Sequence, residues 1–237
     1  MEALLTQATE IPWLNFFGRK AKLHDLLAAS PLIVWYVWSF VVQAPQVYAH
    51  VQSIHSSEDV VFVLLDALSK AALFGFGVVL MVLLIVRRPA IKKHEEWAPR
   101  IIALFGCYLG IAFLVFPVAP PHSIWLEVSA FLIFAGMSFS LFSVFWLGRS
   151  FSIMPESRKL VTSGPYTIVR HPLYLGEQVA LVGVALQCTT AFAAALFVLQ
   201  ICCQLYRMSY EEKILTKAFP EYEAYSEETA RILPWLY

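Results

Sequence analysis

The sequence predicts an all-α fold: a polytopic bundle of transmembrane helices, four spans followed by a C-terminal helical hairpin. Three observations predict it. The 237 residues are 59% hydrophobic and only 14% charged, against roughly 25% charged in soluble domains. A water-soluble fold of this length has too little polar surface to cover so much apolar side chain. The apolar residues fall into runs near the ~20 residues that cross a bilayer. Lys and Arg then alternate from loop to loop, as the positive-inside rule demands.

The elements follow in order. Residues 1–30 lack the basic start of a cleavable signal. They mix Trp13, Phe16, Phe17, Leu23 and Leu26 with Arg19, Lys20 and Lys22, which predicts an interfacial segment lying on the membrane. Four transmembrane helices are expected within 31–147, at about 31–49, 60–86, 101–118 and 123–147. The last region, 148–237, holds a long polar interruption, an apolar stretch over 176–206 and a polar tail. That stretch has too many residues for one upright span. Gln187, Cys188, Thr189 and Thr190 at its middle can turn the chain.

Charge decides in favour of a hairpin there. Basic residues precede the first span, are missing from 50–59, return over 87–100, are missing from 119–122, and return in 149–170 and again after Arg207. A basic tail on the same side as 149–170 needs an even number of crossings between them. The N- and C-termini and the 148–175 segment are therefore expected on the cytoplasmic side of an integral, multi-pass membrane protein. Every Lys and Arg but Lys70 then lies on that side. Lys70 sits one helical turn after Asp66 inside the second span. An ion pair between them lowers the cost of ~3 kcal/mol or more for a lone intramembrane charge; a role in function is the competing reading.

Zero formal net charge leaves no electrostatic footprint for nucleic acid. Cys107, Cys188, Cys202 and Cys203 lie in apolar stretches without a CxxC pair. They read as buried thiols, with neither disulfides nor a metal site expected.

The polar interruption reads GRSFSIMPESRKLVTSGPYTIVRHPLYLG over 148–176. Turn chemistry occurs at Ser163-Gly164-Pro165 and at His171-Pro172. Hydrogen-bond donors gather in Arg149, Arg158, Lys159, Tyr166, Arg170, His171 and Tyr174, and the tail adds Tyr210, Glu211, Glu212, Tyr222 and Tyr225. A hairpin brings both segments to one membrane face. Cations, carboxylates and aromatic rings at the bilayer surface suit a zwitterionic cofactor carrying an aromatic group, and an acceptor reaching it from the lipid.

GPY, then RHPLYLG, an apolar hairpin, the Glu211-Glu212 pair, the Phe219, Tyr222 and Tyr225 spacing and a closing Pro234 together resemble the isoprenylcysteine carboxyl methyltransferase family. That family is in turn similar to the phospholipid N-methyltransferases. The resemblance covers about 147–234. It implies S-adenosylmethionine-dependent methyl transfer, with a methyltransferase-like catalytic region over 148–237 and a cytoplasmic cofactor-binding segment. No GxGxxG follows a strand-like run, in keeping with a family that has no Rossmann domain. By resemblance, His171 with Arg170 meets the methionine carboxylate. Glu212 accepts from the ammonium or ribose. Tyr166 and Tyr174 shelve the adenine, Val161 and Leu175 complete the cofactor set, and Gly164 supplies backbone shape. Each has a plainer role open to it: a cap before Pro172 for His171, a solvated helix face for the glutamates, interfacial anchoring for the tyrosines.

The expected partner is a lipophilic small-molecule or lipid acceptor, together with membrane lipids. A carboxylate acceptor is favoured, since a positive donor meeting an anion needs a dry pocket and no base. Arg207, one turn before Glu211, is then the positioning cation, or else a lipid-phosphate anchor. A thiol or amine acceptor needs deprotonation, with Glu211 as base. Two other classes compete. An NADPH-dependent membrane reductase of the sterol type would want more basic contacts for its extra phosphates. A transporter built around Asp66 and Lys70 would want internal repeats, which the sequence lacks.

Overall fold

The structure is a computed structural model that describes residues 60–86, 91–93, 98–112, 124–152, 156–188 and 191–234, with isolated helical positions between 27 and 52. The expected interfacial segment over 1–30 lies outside the described residues except Leu27 and Ser30. Within the first expected span, scattered positions such as Val34, Trp38 and Val41 are described, all helical.

Helix α1 spans Val60–Val86, the bounds that the apolar run predicts. Asp66 and Lys70 pair along it, with Nζ 2.6 Å from the carboxylate, and Phe40 stacks on its Phe74 at 4.1 Å between ring centroids. Helix α2 covers Ala98–Ala112, where the third span is expected. Helix α3 spans Ile124–Leu147 and ends in a short 3-10 turn over Gly148–Ser150. There Arg149 donates from Nε to the Val86 carbonyl at 2.7 Å, satisfying one of the carbonyls left open at the end of α1.

The fifth apolar stretch is two helices, as the central polar residues suggest. Helix α4 spans Pro172–Gln187 and α5 spans Ala191–Ala218. They run antiparallel, since Tyr174 meets Glu211 and Gln178 meets Gln204. Both overrun the expected 176–206 limits. Pro172 opens α4 at once, because its fixed φ suits the first helical turn. α5 continues past Tyr206 because Arg207–Lys217 are good helix formers, so its last turns emerge from the apolar layer. A final helix, α6, spans Tyr222–Glu228.

One departure from the all-helical expectation is a two-residue antiparallel pairing of β1 (Lys92–Lys93) with β2 (Glu156–Ser157). It staples the 91–93 stretch to the polar segment. Among the described residues, α1, α3 with its 3-10 turn and α5 are long and apolar enough to cross a membrane, marking an integral membrane protein. At 1.5 Å per residue α4 is about 24 Å long, short of the ~30 Å hydrocarbon layer.

Helix α3 is the centre of the bundle. One side packs Met137 and Val144 against Phe76, Leu80 and Leu84 of α1. The other carries Ser129, Gly136, Ser140 and Ser143, spaced seven, four and three residues apart on one helical face. Opposite lie Gly176, Ala180 and Gly183 of α4. A Cβ on Gly136 would come within 2.4 Å of the Ala180 nitrogen, so the two backbones touch. Ser129 donates to the Gly183 carbonyl at 2.7 Å and Ser140 to that of Leu173 at 3.3 Å. Small residues and hydroxyls of this kind hold helices together where lipid offers no hydrophobic drive. The seam fixes the start of α4, and with it the polar segment just before.

Candidate active site

The polar segment is shaped by its turns. Gly164 opens a 3-10 turn over Gly164–Thr167 at φ +63°, with the Trp146 ring 2.3 Å from where a Cβ would lie. Only glycine meets both conditions without strain, which gives the expected backbone role of Gly164 its physical form. The turn buries Tyr166. The chain then extends: Val169 and Ala230 form a parallel backbone bridge, Arg170 N–H donates to Ala230 at 2.8 Å and His171 N–H to Arg231 at 3.1 Å. The tail is thereby sewn along the RHP strand. α6 closes over it, with Tyr225 Oη donating to the Tyr166 carbonyl at 2.7 Å.

Two ionic centres sit beneath. In the first, Glu212 accepts from Arg170 Nε at 3.0 Å and pairs with His171 Nε2 at 3.1 Å through one oxygen, and with Arg231 at 3.0 Å through the other. Arg170 also donates from Nη1 to the Thr229 carbonyl at 2.6 Å and to that of Ser226. In the second, Tyr174 Oη donates to Glu211 at 2.5 Å and Arg207 Nε to the same oxygen at 3.2 Å. The Arg207 guanidinium lies 5.1 Å from the Tyr174 ring centroid. His171 and Tyr174 stack at 5.5 Å and join the two centres.

Above them lies an open cavity of about 110 Å3. Of the residues singled out from sequence, Val161, Tyr166, Arg170, His171, Tyr174 and Glu211 line it. Gly164, Leu175, Arg207 and Glu212 do not. Gly164 shapes the turn, and Arg207 and Glu212 stand one contact behind the wall, holding Glu211 and the Arg170–His171 pair. Sequence reasoning counted Arg158 among the donors of this segment but gave it no place in the cofactor set, and it lines the cavity at 4% exposure. Its position in the Arg158-Lys159 pair reads as ordinary positive-inside charge. The backbone pairing of Ser157 precedes a buried Arg158, while its neighbour Lys159 lines the same cavity from an exposed position.

Tyr222 and Tyr225 complete the wall. Burial pushes the Tyr225 phenol up to about 12 and raises Tyr166 and Tyr222 further, with the Glu211 and Glu212 charges adding to each in turn. All three are neutral at physiological pH. The Tyr222 hydroxyl is buried and has no hydrogen-bond partner among the described residues, a deficit of ~1–3 kcal/mol that a polar ligand would relieve. Cations at Arg158, Lys159 and Arg170, the His171 imidazole, one carboxylate at Glu211 and four phenol rings match the needs of an amino-acid zwitterion joined to a nucleoside. The residues present fit S-adenosylmethionine.

A transmembrane helical protein with an aromatic, charge-lined cavity at the end of its bundle is the class that fold and site define. The phospholipid methyltransferase family model matches residues 124–222. That model is part of the superfamily of phospholipid and isoprenylcysteine carboxyl methyltransferases, which the motifs of this segment resemble. Two curated relatives are similar to part of this chain. The nickel-cobalt-cadmium resistance protein NccN of Alcaligenes xylosoxydans xylosoxydans is 33% identical over 82 residues, 34% of this chain. The cobalt-zinc-cadmium resistance protein CzcN of Cupriavidus metallidurans is 31% identical over 87 residues, 34% of this chain. The chain spans 38% of the length of each.

Proposed function

We propose that this protein is a membrane methyltransferase that uses S-adenosylmethionine to methylate a lipophilic, membrane-accessible acceptor at the cytoplasmic face. The observation that carries the reading is the cavity where the family-matched GPY and RHPLY motifs meet α5 and α6. Residues 148–237 form the catalytic region in this reading.

Bound S-adenosylmethionine supplies a methyl group on positively charged sulfur. His171, Arg170 and Arg158 offer donors to its carboxylate, and Glu211 an acceptor to its ammonium. Tyr166, Tyr174 and Val161 form an apolar shelf for the base, and Tyr222 has a hydroxyl to offer the ribose. Glu212 acts through Arg170 and His171, keeping them aimed. Arg207 stands behind the wall and holds Glu211, so an anionic acceptor feels its charge through that contact; for an acceptor that must lose a proton, Glu211 is the base within reach.

The test is transfer of tritiated methyl from S-adenosylmethionine into the organic-extractable fraction of membranes carrying the protein. Label absent with a His171→Ala, Tyr222→Phe variant but present with wild type supports the reading. Equal label in both overturns it.

A further inference from the structure

The cavity has two kinds of wall. One is clamped. Glu212 pairs with Arg170, His171 and Arg231, and the Arg170 and His171 amides are bonded to Ala230 and Arg231. The other wall is the stretch that follows β2: Arg158, Lys159, Leu160 and Val161. Among the described residues, the backbone hydrogen bonds that hold 156–161 all come from the loop after α1. There Lys92 pairs with Ser157 and Lys93 with Glu156, and Ile91 N–H donates to the Ser157 carbonyl at 2.7 Å.

A ladder this short is weaker than one between strands of usual length, and each of its bonds adds only modestly to stability. Such contacts are the ones that open first in a folded protein. The loop that carries β1 is firmly mounted, however. Arg149 donates from Nε to the Val86 carbonyl and so pins the end of α1 from which the loop departs. Residues 91–93 also lie outside 124–222, the region that the phospholipid methyltransferase model matches. The staple is therefore supplied to the site from beyond that region.

Backbone and charge both suit movement. Gly148 and Gly164, which precede and follow this wall in sequence, stand at φ +50° and +63°. A Cβ on Gly148 would meet nothing within 4 Å, so the chain is free to turn there, while Gly164 is packed on Trp146 and serves as the fixed pivot. Ser157 and Arg158 are buried. A guanidinium is better solvated by water than by a protein interior, so an outward swing of the wall returns Arg158 to solvent. A ligand that brings an anion to Arg158 favours the closed position and shifts the balance toward it.

We infer that the pairing of 91–93 with β2 is a latch on the cavity: the Arg158–Val161 wall swings out to admit the cofactor and is held shut when the two strands pair. That the entering molecule is S-adenosylmethionine rests on the methyl-transfer reading; the motion itself needs no ligand.

The test uses the full chain in lipid nanodiscs and two readouts. Phenylglyoxal modification of Arg158, read by peptide mass against the exposed Arg149, reports opening with no ligand present. Release of labelled S-adenosylmethionine reports the gate. A Lys93→Cys, Glu156→Cys variant places thiols at facing positions of the ladder, and oxidation locks it. Wild type treated alike controls for the native cysteines. The locked form should show Arg158 modification and S-adenosylmethionine release slowed about tenfold against its reduced form, and Ile91→Pro, which lacks the N–H that Ser157 accepts, should speed both about tenfold. Ile91 is exposed, so that variant loses no core packing. Arg158 modified equally fast in locked and reduced forms overturns the latch, and so does S-adenosylmethionine release that the lock leaves unchanged. Arg158 modification that obeys the lock while S-adenosylmethionine binds neither form supports the latch and strikes the methyl-transfer reading instead.

Discussion

Replacing Glu212 with Gln separates a ligand from a clamp. Glu212 is the hub of three charge-assisted contacts, to Arg170, His171 and Arg231, at 3.0, 3.1 and 3.0 Å, and its side chain is 19% exposed. The amide keeps one acceptor oxygen but turns an N–H toward a cation. Losing one contact at ~1.5–3 kcal/mol, and the charge that balances the others, should cost about 3 kcal/mol of clamp stability, the low end for a broken buried pair. If binding needs the clamp closed, S-adenosylmethionine affinity falls about 100-fold, at 1.4 kcal/mol per tenfold. Arg231→Met removes one contact from outside the cavity wall and should weaken binding about tenfold. Isothermal titration of both variants in detergent measures this. An Arg231→Met variant that binds as wild type does, beside a Glu212→Gln variant that binds nothing, would refute the clamp and make Glu212 a direct ligand.

Other expectations are smaller in scope. Gly164→Ala places a methyl against the Trp146 ring at a left-handed backbone position, at a cost of ~1–2 kcal/mol from backbone alone, and should lower the thermal midpoint by a few degrees; an unchanged midpoint would deny the strain. Asp66→Asn leaves Lys70 alone in α1 and should destabilise by about 3 kcal/mol, while the Asp66→Asn, Lys70→Leu double variant should recover both stability and methyl transfer. Activity lost in the double variant despite recovered stability would assign the pair a role in function. Stability should fall as pH rises from about 10 to 12, because the unfolded chain releases tyrosine protons there that Tyr225, pushed up to about 12, retains in the fold. Absorbance at phenolate wavelengths through an alkaline titration reports it, and an early phenolate signal from the intact protein would contradict the burial.

Much of this architecture is written locally. The α1 limits, the break after Gln187 and the turn at Gly164 follow from apolar run length, polar interruption and turn residues, each a property of adjacent positions. The motif spacing also named Tyr166, Arg170, His171 and Tyr174 of the cavity wall, because GPY and RHPLY sit on the turn and extended segment beside it. Distant pairing was not readable in this way. Nothing next to Glu212 says that it pairs with Arg231 nineteen residues on, or that Arg158 is buried in the cavity wall beside an exposed Lys159. Glu177 escaped notice because a lone carboxylate early in an apolar run looks like a boundary residue. Its meaning depends on Gln204 across the hairpin.

The central claim is that the cavity holds S-adenosylmethionine, and equilibrium binding of labelled S-adenosylmethionine and of NADPH to the purified protein tests it most directly. The account predicts saturable S-adenosylmethionine binding, abolished by His171→Ala with the thermal midpoint kept, and no NADPH binding. NADPH retained in place of S-adenosylmethionine by folded wild type would contradict it.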